Sequence, residues 1–361
     1  MNELEQNRKI IDDIDKQMAK LFEERMISAG KIAEFKKEKG LPVFDKLRED
    51  AVLAKNIAYV KDETLAEYYV QFMKDVMKTS RAYQHRILEG VKVAYSGAEG
   101  AFAHIAAKKL FPEANLSAYS DFQGAYNAVE NGEYDYAILP IENSYAGDVG
   151  VVMDLMFSGS LYVNAVIELD VVHNLLIKKG SSIEKIKHVV SHPQALEQCE
   201  NFIKEHGYEK ISYSNTALAA KYVAEECDDT YAAIGSSDTA EVFGLDIVAS
   251  GINSSKNNTT RFAVLSRSQH IPPATSKNEN EHFMLMFTAK NEAGSLAKAL
   301  NIIGAHNFNM RNLRSRPMKE LLWNYYFFIE AEGNIGTQNG KDMLRELSAL
   351  CARLKLVGTY N

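Results

Sequence analysis

Cysteine is scarce, with only Cys199, Cys227 and Cys351 among 361 residues. Three scattered thiols suit neither a disulfide framework nor a thiolate metal site, so free thiols in a reducing compartment are expected and no metal or cofactor is called for. An excess of positive charge is also missing: 41 Lys and Arg stand against 48 Asp and Glu, a net charge of −7. Binding a phosphate backbone needs a dominant cationic surface, which argues against a nucleic-acid partner but leaves room for a local cationic cluster around a small anion. No apolar run approaches the ~18 residues of a membrane span, and the first ten residues carry charges without the apolar core of a secretory signal. The expected location is the cytoplasm.

What is present fits an ordinary globular protein of two or three domains, since 361 residues exceed what one hydrophobic core usually serves. With 46% apolar and 25% charged residues, nothing in the chain reads as disordered.

From Glu3 to about Lys39 there is no proline, and Leu4, Ile11, Ile14, Met18, Leu21, Phe22, Ala29, Ile32 and Ala33 recur at helical spacing. One helix spanning roughly 50 Å results, too long to bury its stripe in a small domain unless another chain covers it. An intertwined dimer is expected. Gly40-Leu41-Pro42 ends this helix, and two more follow over about 45–59 and 64–88.

Arg25 and Lys36 return to nearly the same face of the first helix about 16 Å apart, so two long cationic arms can converge on one anion. Arg8 lies about 25 Å from Arg25 and a quarter turn away, so on a straight helix it cannot reach the same ligand but can serve a partner's site. Asp45, Arg48 and Glu49 share a face of the second helix, while Ser80 and Gln84 are an i, i+4 pair on the third. Any one of these alone reads equally as a solvated, ion-paired surface. Together they resemble the all-helical chorismate mutase family over essentially all of residues 1–89. The resemblance implies that Arg8 from the partner, Arg25, Lys36 and Arg48 hold the two carboxylates of chorismate, with Lys36 and Gln84 at the ether oxygen. It also implies Glu49 and Ser80 at the ring hydroxyl, with Asp45 in the same substrate-binding set. A Claisen rearrangement needs no nucleophile or metal, only donors aimed at the oxygen where negative charge develops.

After Gly90 short apolar runs alternate with helical stretches up to about residue 268, the signature of parallel sheet with crossover helices. Four polar segments follow or precede these runs: Ser96-Gly97-Ala98-Glu99-Gly100, Pro140-Ile141-Glu142-Asn143-Ser144, Ser191-His192-Pro193-Gln194 and Thr259-Thr260-Arg261-Phe262. Read as polar tips at strand ends, they suggest a cleft between two lobes. Gly97-x2-Gly100 can cradle a carboxylate or phosphate or simply form a tight turn, and His192 can serve a site or a helix start.

The last three segments resemble prephenate dehydratase over residues 91–268, which implies two α/β lobes like those of periplasmic ligand-binding proteins. By that resemblance Thr260 lies beside the departing hydroxyl and Arg261 binds carboxylate. Asn143, Ser144, Ser191, His192, Gln198, Thr216 and Phe262 complete the substrate-binding set. Glu142 is a proton source or a positioning group. Departure of hydroxide needs a proton or strong hydrogen bond, and aromatisation then drives loss of CO2. Ala101 and Ala103 stand where members of that family often carry hydroxyls.

Residues 269–280 read as a linker, and 281–361 carry a βαββαβ pattern with strands expected at His282–Phe287 and Trp323–Glu330. Gly294-Ser295-Leu296 and Arg314-Ser315-Arg316-Pro317 resemble the α+β ACT regulatory domain, with Ser295 in place of the usual Ala and Arg314 in place of the usual Glu. Such domains bind phenylalanine at a subunit interface. The combined resemblance implies a bifunctional, feedback-inhibited enzyme of phenylalanine biosynthesis, dimeric or tetrameric. Arogenate in place of prephenate, or a non-catalytic sensor of small molecules, are the competing readings.

Overall fold

The computed structural model describes residues 2–255, 257–276, 280–318 and 325–361. They form two compact units, 1–92 and 93–361.

The first unit is all helix. Helix α1 (Glu3–Glu38) opens on a capping box in which Asn2 and Glu5 satisfy each other's backbone N–H groups. Asp45 caps α2 (Lys46–Ile57), accepting from the Arg48 N–H at 3.0 Å, and α3 (Ala66–Glu89) follows a short 3-10 turn. The second half of α1 buries Ala29, Gly30 and Ala33. Small residues are needed there: a Cβ on Gly30 would lie 3.2 Å from Ile87 Cδ1 of α3. Residues 2–24 of α1 are all exposed, so its expected apolar stripe is uncovered within the chain.

The second unit begins with β1 (Lys92–Ser96), α4 (Phe102–Leu110), β2 (Asn115–Tyr119), α5 (Phe122–Glu130), β3 (Tyr136–Asn143), β4 (Gly147–Asp148), α6 (Gly150–Ser158) and β5 (Tyr162–Asp170). A second lobe holds β6 (Asn174–Lys178), β7 (His188–Ser191), α7 (Pro193–Gln198), α8 (Glu200–His206), β8 (Glu209–Ser212), α9 (Thr216–Glu225), β9 (Tyr231–Gly235), α10 (Ser237–Phe243) and β10 (Leu245–Ala249). The chain then returns to the first lobe as β11 (Thr259–Ser266). The C-terminal domain is β12 (His282–Thr288), α11 (Ser295–Ala305), β13 (Asn309–Pro317), β14 (Tyr325–Glu332), α12 (Gln338–Leu350) and β15 (Leu354–Tyr360), the expected βαββαβ order. Residues 323 and 324 of the expected Trp323–Glu330 strand, and 277–279 of the expected linker, lie outside the described residues.

Two sheets result. One runs β13-β14-β12-β15-β5-β11-β3-β1-β2 with β4 beside β3, and the other runs β10-β6-β9-β7-β8. The expectation of parallel sheet with crossover helices is corrected in part here. The pairs β1–β3, β7–β8 and β7–β9 are parallel, but β11 is antiparallel to both β3 and β5, and β6 is antiparallel to β9 and β10. Long returns between the lobes bring strands back in the opposite sense, and an alternation of strands and helices does not encode that.

Strand β12 is buried on both faces, which explains the unbroken apolar run Phe283–Phe287. Phe283, Leu285 and Phe287 join a core that includes Ala299, Ile303, Met343 and Leu347 from α11 and α12. Met284 and Met286 instead join Val152, Met156, Leu139 and Ala263 in the core of the first lobe. One apolar core thus ties the C-terminal domain to the back of the sheet that carries β3 and β11.

Candidate active sites

In the helical unit two of the expected residues, Arg25 of α1 and Ser80 of α3, are brought into direct contact. Arg25 donates through Nη1 to the Ser80 hydroxyl, which in turn donates to the Val76 carbonyl at 2.9 Å. Burial holds the Arg25 guanidinium below its ordinary pKa. Gln84 is buried, and its Oε1 has no partner among the described residues. Lys36 donates to the Val43 carbonyl at 2.7 Å, and Glu49 pairs with Arg81, whose guanidinium stands 5.3 Å from the Phe44 ring centroid. Arg81 and Phe44 went unnoticed in the sequence because nothing in their spacing marks them. Arg8 and Arg48 are exposed, and the Asp45 carboxylate is engaged as the α2 cap.

In the second unit two adjoining hollows of ≈ 450 and ≈ 430 Å³ share Phe102, Pro140, His192, Gln194, Thr216 and Thr260 as walls, forming one cleft between the lobes. On one side Asn143 and Thr260 are register partners on β3 and β11. Asn143 Oδ1 accepts from the backbone N–H groups of Tyr145 and Ala146 at 3.0 and 2.8 Å, which fixes which end of its amide is the donor. Its Nδ2 then donates to Thr260 Oγ1 and Asn258 Oδ1, both at 2.9 Å. With Oγ1 accepting, the Thr260 proton is directed away from Asn143.

The other lobe supplies the imidazole and amide groups. His192 is the N-cap of α7, with Nδ1 accepting from Gln194 N at 3.3 Å. Gln198 Oε1 lies 2.9 Å from Nε2 of His173, a residue missed from the sequence, where it opens the run His173-Asn174-Leu175-Leu176-Ile177. His173 is only 2% exposed, and its Nδ1 has no partner among the described residues. Burial lowers the pKa of both histidines, with the Gln198 bond opposing the shift at His173, so both favour the neutral form. Gly97 and Gly100 line the cleft with φ of +107° and +84°, angles that exclude most side chains and explain glycine at both positions.

Several expected site residues lie elsewhere. Two of the four segments read as polar tips lie within strands: β3 runs to Asn143 and β11 starts at Thr259, so neighbouring residues face opposite sides. A bulge sharpens this separation. Arg261 pairs with Glu142 and Phe262 with Pro140, leaving Ile141 as the extra residue, and the insertion turns Asn143 rather than Glu142 toward the cleft. Glu142 and Arg261 therefore lie behind the sheet. There Arg261 forms a bidentate pair with Glu330 (2.9 and 2.6 Å) and bonds Tyr360 Oη at 2.8 Å and Glu142 at 3.2 Å. The Glu330 hydrogen bonds, outweighing burial, raise the guanidinium's pKa. Ser191 is fully buried and donates to the Ile234 carbonyl, joining β7 to β9. Ser144 latches the Asn257 carbonyl and the Thr259 N–H.

Of the C-terminal set, Arg314 and Arg316 face the catalytic sheet and pair with Glu142 and Asp148, and with Asp154, while Ser315 and Pro317 are exposed. Gly294 caps α11 in the left-handed conformation, Ser295 is buried and Leu296 packs on the domain core.

Residues 7–85 match the family model Chorismate mutase type II, and residues 93–270 match Prephenate dehydratase. The bifunctional chorismate mutase/prephenate dehydratase of Buchnera aphidicola subsp. Acyrthosiphon pisum is 33% identical, the alignment covering 97% of this chain and 94% of that one. The chain belongs to the bifunctional chorismate mutase/prephenate dehydratase family. It converts chorismate to prephenate and prephenate onward, in phenylalanine biosynthesis. Among solved structures, prephenate dehydratase from Arthrobacter aurescens in complex with L-Phe is 25% identical with a TM-score of 0.69, over 75% of this chain and 89% of that one. GqqA, described as a novel type of quorum-quenching acylase, is 28% identical with the same TM-score, over 74% of this chain and 97% of that chain. Among the described residues, no helix is long and apolar enough to cross a membrane.

Proposed function

We propose that Thr260, held by Asn143, is the group beside the hydroxyl that leaves prephenate, and that the helical cluster around Arg25, Lys36 and Gln84 performs the mutase step. The observation that carries the dehydratase assignment is the Asn143–Thr260 bond in the cleft wall. Because Oγ1 already accepts, the threonine O–H is available to hydrogen-bond the departing oxygen. The C4–O bond breaks as that oxygen gains a proton and leaves as water. Electrons of the C1–carboxylate bond flow into the ring, CO2 departs, and phenylpyruvate remains. His192, Gln198 and Thr216, with His173, surround the substrate. Thr260→Val keeps the shape and removes the hydroxyl. Dehydratase kcat should fall by roughly 10²-fold or more with mutase turnover unchanged, and a near-normal dehydratase rate rejects the assignment.

In the mutase, Lys36 and Gln84 would meet the ether oxygen and Arg25 a carboxylate, while Arg8 reaches the site of a partner whose α1 lies against this one. The exposed stripe on residues 2–24 supports a dimer built on α1. The C-terminal domain acts as an ACT regulatory domain binding phenylalanine at an interface between copies; its βαββαβ order and the L-Phe complex of the Arthrobacter dehydratase support this. The free thiols suit the cytoplasm. Turnover of arogenate against prephenate decides between the two substrates.

A further inference from the structure

The face of the catalytic sheet turned away from the cleft carries a charged cluster that the reaction does not touch. Arg261 follows Thr260 and Glu142 precedes Asn143, so these charged residues flank the Thr260–Asn143 pair on both strands. Neither is held chiefly by its own lobe. Arg261 is gripped by Glu330 of β14 in a fork of two hydrogen bonds and by Tyr360 Oη of β15, and Tyr360 also bonds Glu330. Glu142 receives Arg314 of β13 at 2.5 Å, and the same guanidinium pairs with Asp148 of β4, the strand hydrogen-bonded to the end of β3. Glu330 is 2% exposed, and a buried carboxylate of this kind is tolerable only while its cationic partner stays in place. The pairing therefore resists movement of Arg261 in both directions.

We propose that Glu330 and Arg314 of the C-terminal domain are positioning residues for the dehydratase, fixing β11 and β3 from behind so that Thr260 and Asn143 meet the substrate in register. Neither touches the cleft. Each acts through a residue adjacent to one that does, and a displacement of about 1 Å in reacting groups costs on the order of 10²-fold in rate. The C-terminal domain is in this way part of the dehydratase, and any ligand that shifts β13 or β14 has a direct lever on the threonine.

The inference rests on Thr260 being the group at the leaving oxygen, so Thr260→Val is measured alongside. In the full-length protein, Glu330→Gln should lower dehydratase kcat roughly tenfold with KM within about twofold, while mutase kcat and KM stay at wild-type values. Arg314→Gln, at a half-buried site that tolerates substitution better, should lower kcat about threefold with the same pattern. Adding Glu330→Gln to Arg261→Gln should cost little beyond Arg261→Gln alone, because the two act as one unit. A purely structural role would instead lower the melting temperature and the active fraction, leaving kcat per active site unchanged.

If Thr260→Val is inactive while both C-terminal variants keep wild-type kcat, or if Glu330 and Arg261 substitutions add independently, the positioning role is wrong and the site assignment stands. If Thr260→Val retains its rate, the site assignment itself fails. Should Glu330→Gln not fold, Arg314→Gln decides.

Discussion

At the scale of single residues, the cleft sets its chemistry by controlling which atoms still have a hydrogen-bonding group to offer. Asn143 spends its carbonyl on two backbone donors and its amide on Thr260 and Asn258. His173 is a buried imidazole with one ring nitrogen on Gln198 and the other without a partner among the described residues. That burial has a measurable consequence. Desolvation lowers the folded-state pKa of His173 below its unfolded value of about 6.5, so as the pH falls through 6.5 the unfolded chain takes up the proton first and stability is lost. His104 and His192 are shifted the same way, also by burial. The thermal midpoint of the second unit should therefore be lower at pH 5.5 than at pH 7.5. His173→Gln should reduce that difference, by up to about 1.4 kcal/mol per pH unit for the one proton removed. An unchanged pH dependence in the variant would show that His173 already protonates in the folded state.

At the scale of elements, helix α1 and strands β3 and β11 show what a sequence pattern can and cannot specify. The long helix was legible because its period is unbroken from Leu4 to Ala33, and the structure runs it from Glu3 to Glu38. Strand interiors were legible for the same reason. The strand ends were not, because Pro140, Glu142, Asn143, Thr259, Thr260 and Arg261 break the apolar run by which a strand is detected, and so they read as polar tips. Once they are strand, the two-residue period and the bulge at Ile141 sort them onto opposite faces, a separation visible only after β3 and β11 are paired. His173 was missed because a single histidine opening an apolar run gives no pattern to find.

The α1 element makes its own prediction. Leu4, Ile11, Ile14, Met18, Leu21 and Phe22 remain 42–62% exposed in the chain, a contiguous apolar stripe that a second copy would cover. In sedimentation the protein should run at twice its 40.4 kDa chain mass or a higher multiple. Met18→Glu with Leu21→Glu should shift it toward the chain mass and remove most mutase turnover, since Arg8 then has no partner site. Full mutase activity in a wild-type monomer would contradict the dimer.

At the scale of the whole molecule, the two chemistries reside in units 1–92 and 93–361, and within the second the C-terminal domain shares a sheet and an apolar core with the catalytic lobe. Arg314 and Arg316, in the segment that resembles a regulatory motif, are engaged with Glu142, Asp148 and Asp154 of the catalytic lobe. Phenylalanine should bind with positive cooperativity between linked subunits and inhibit the dehydratase; a flat calorimetric titration at millimolar phenylalanine would remove the regulatory proposal.

The assignment of each activity to its own residues is tested most directly by supplying chorismate to wild type, Lys36→Ala, Thr260→Val and an equimolar mixture of the two variants, and identifying the products. Wild type should release phenylpyruvate and CO2, Thr260→Val should stop at prephenate, and Lys36→Ala should leave chorismate untouched yet consume added prephenate. The mixture should again yield phenylpyruvate. Phenylpyruvate from Thr260→Val alone, or prephenate from Lys36→Ala at the wild-type rate, would contradict the account.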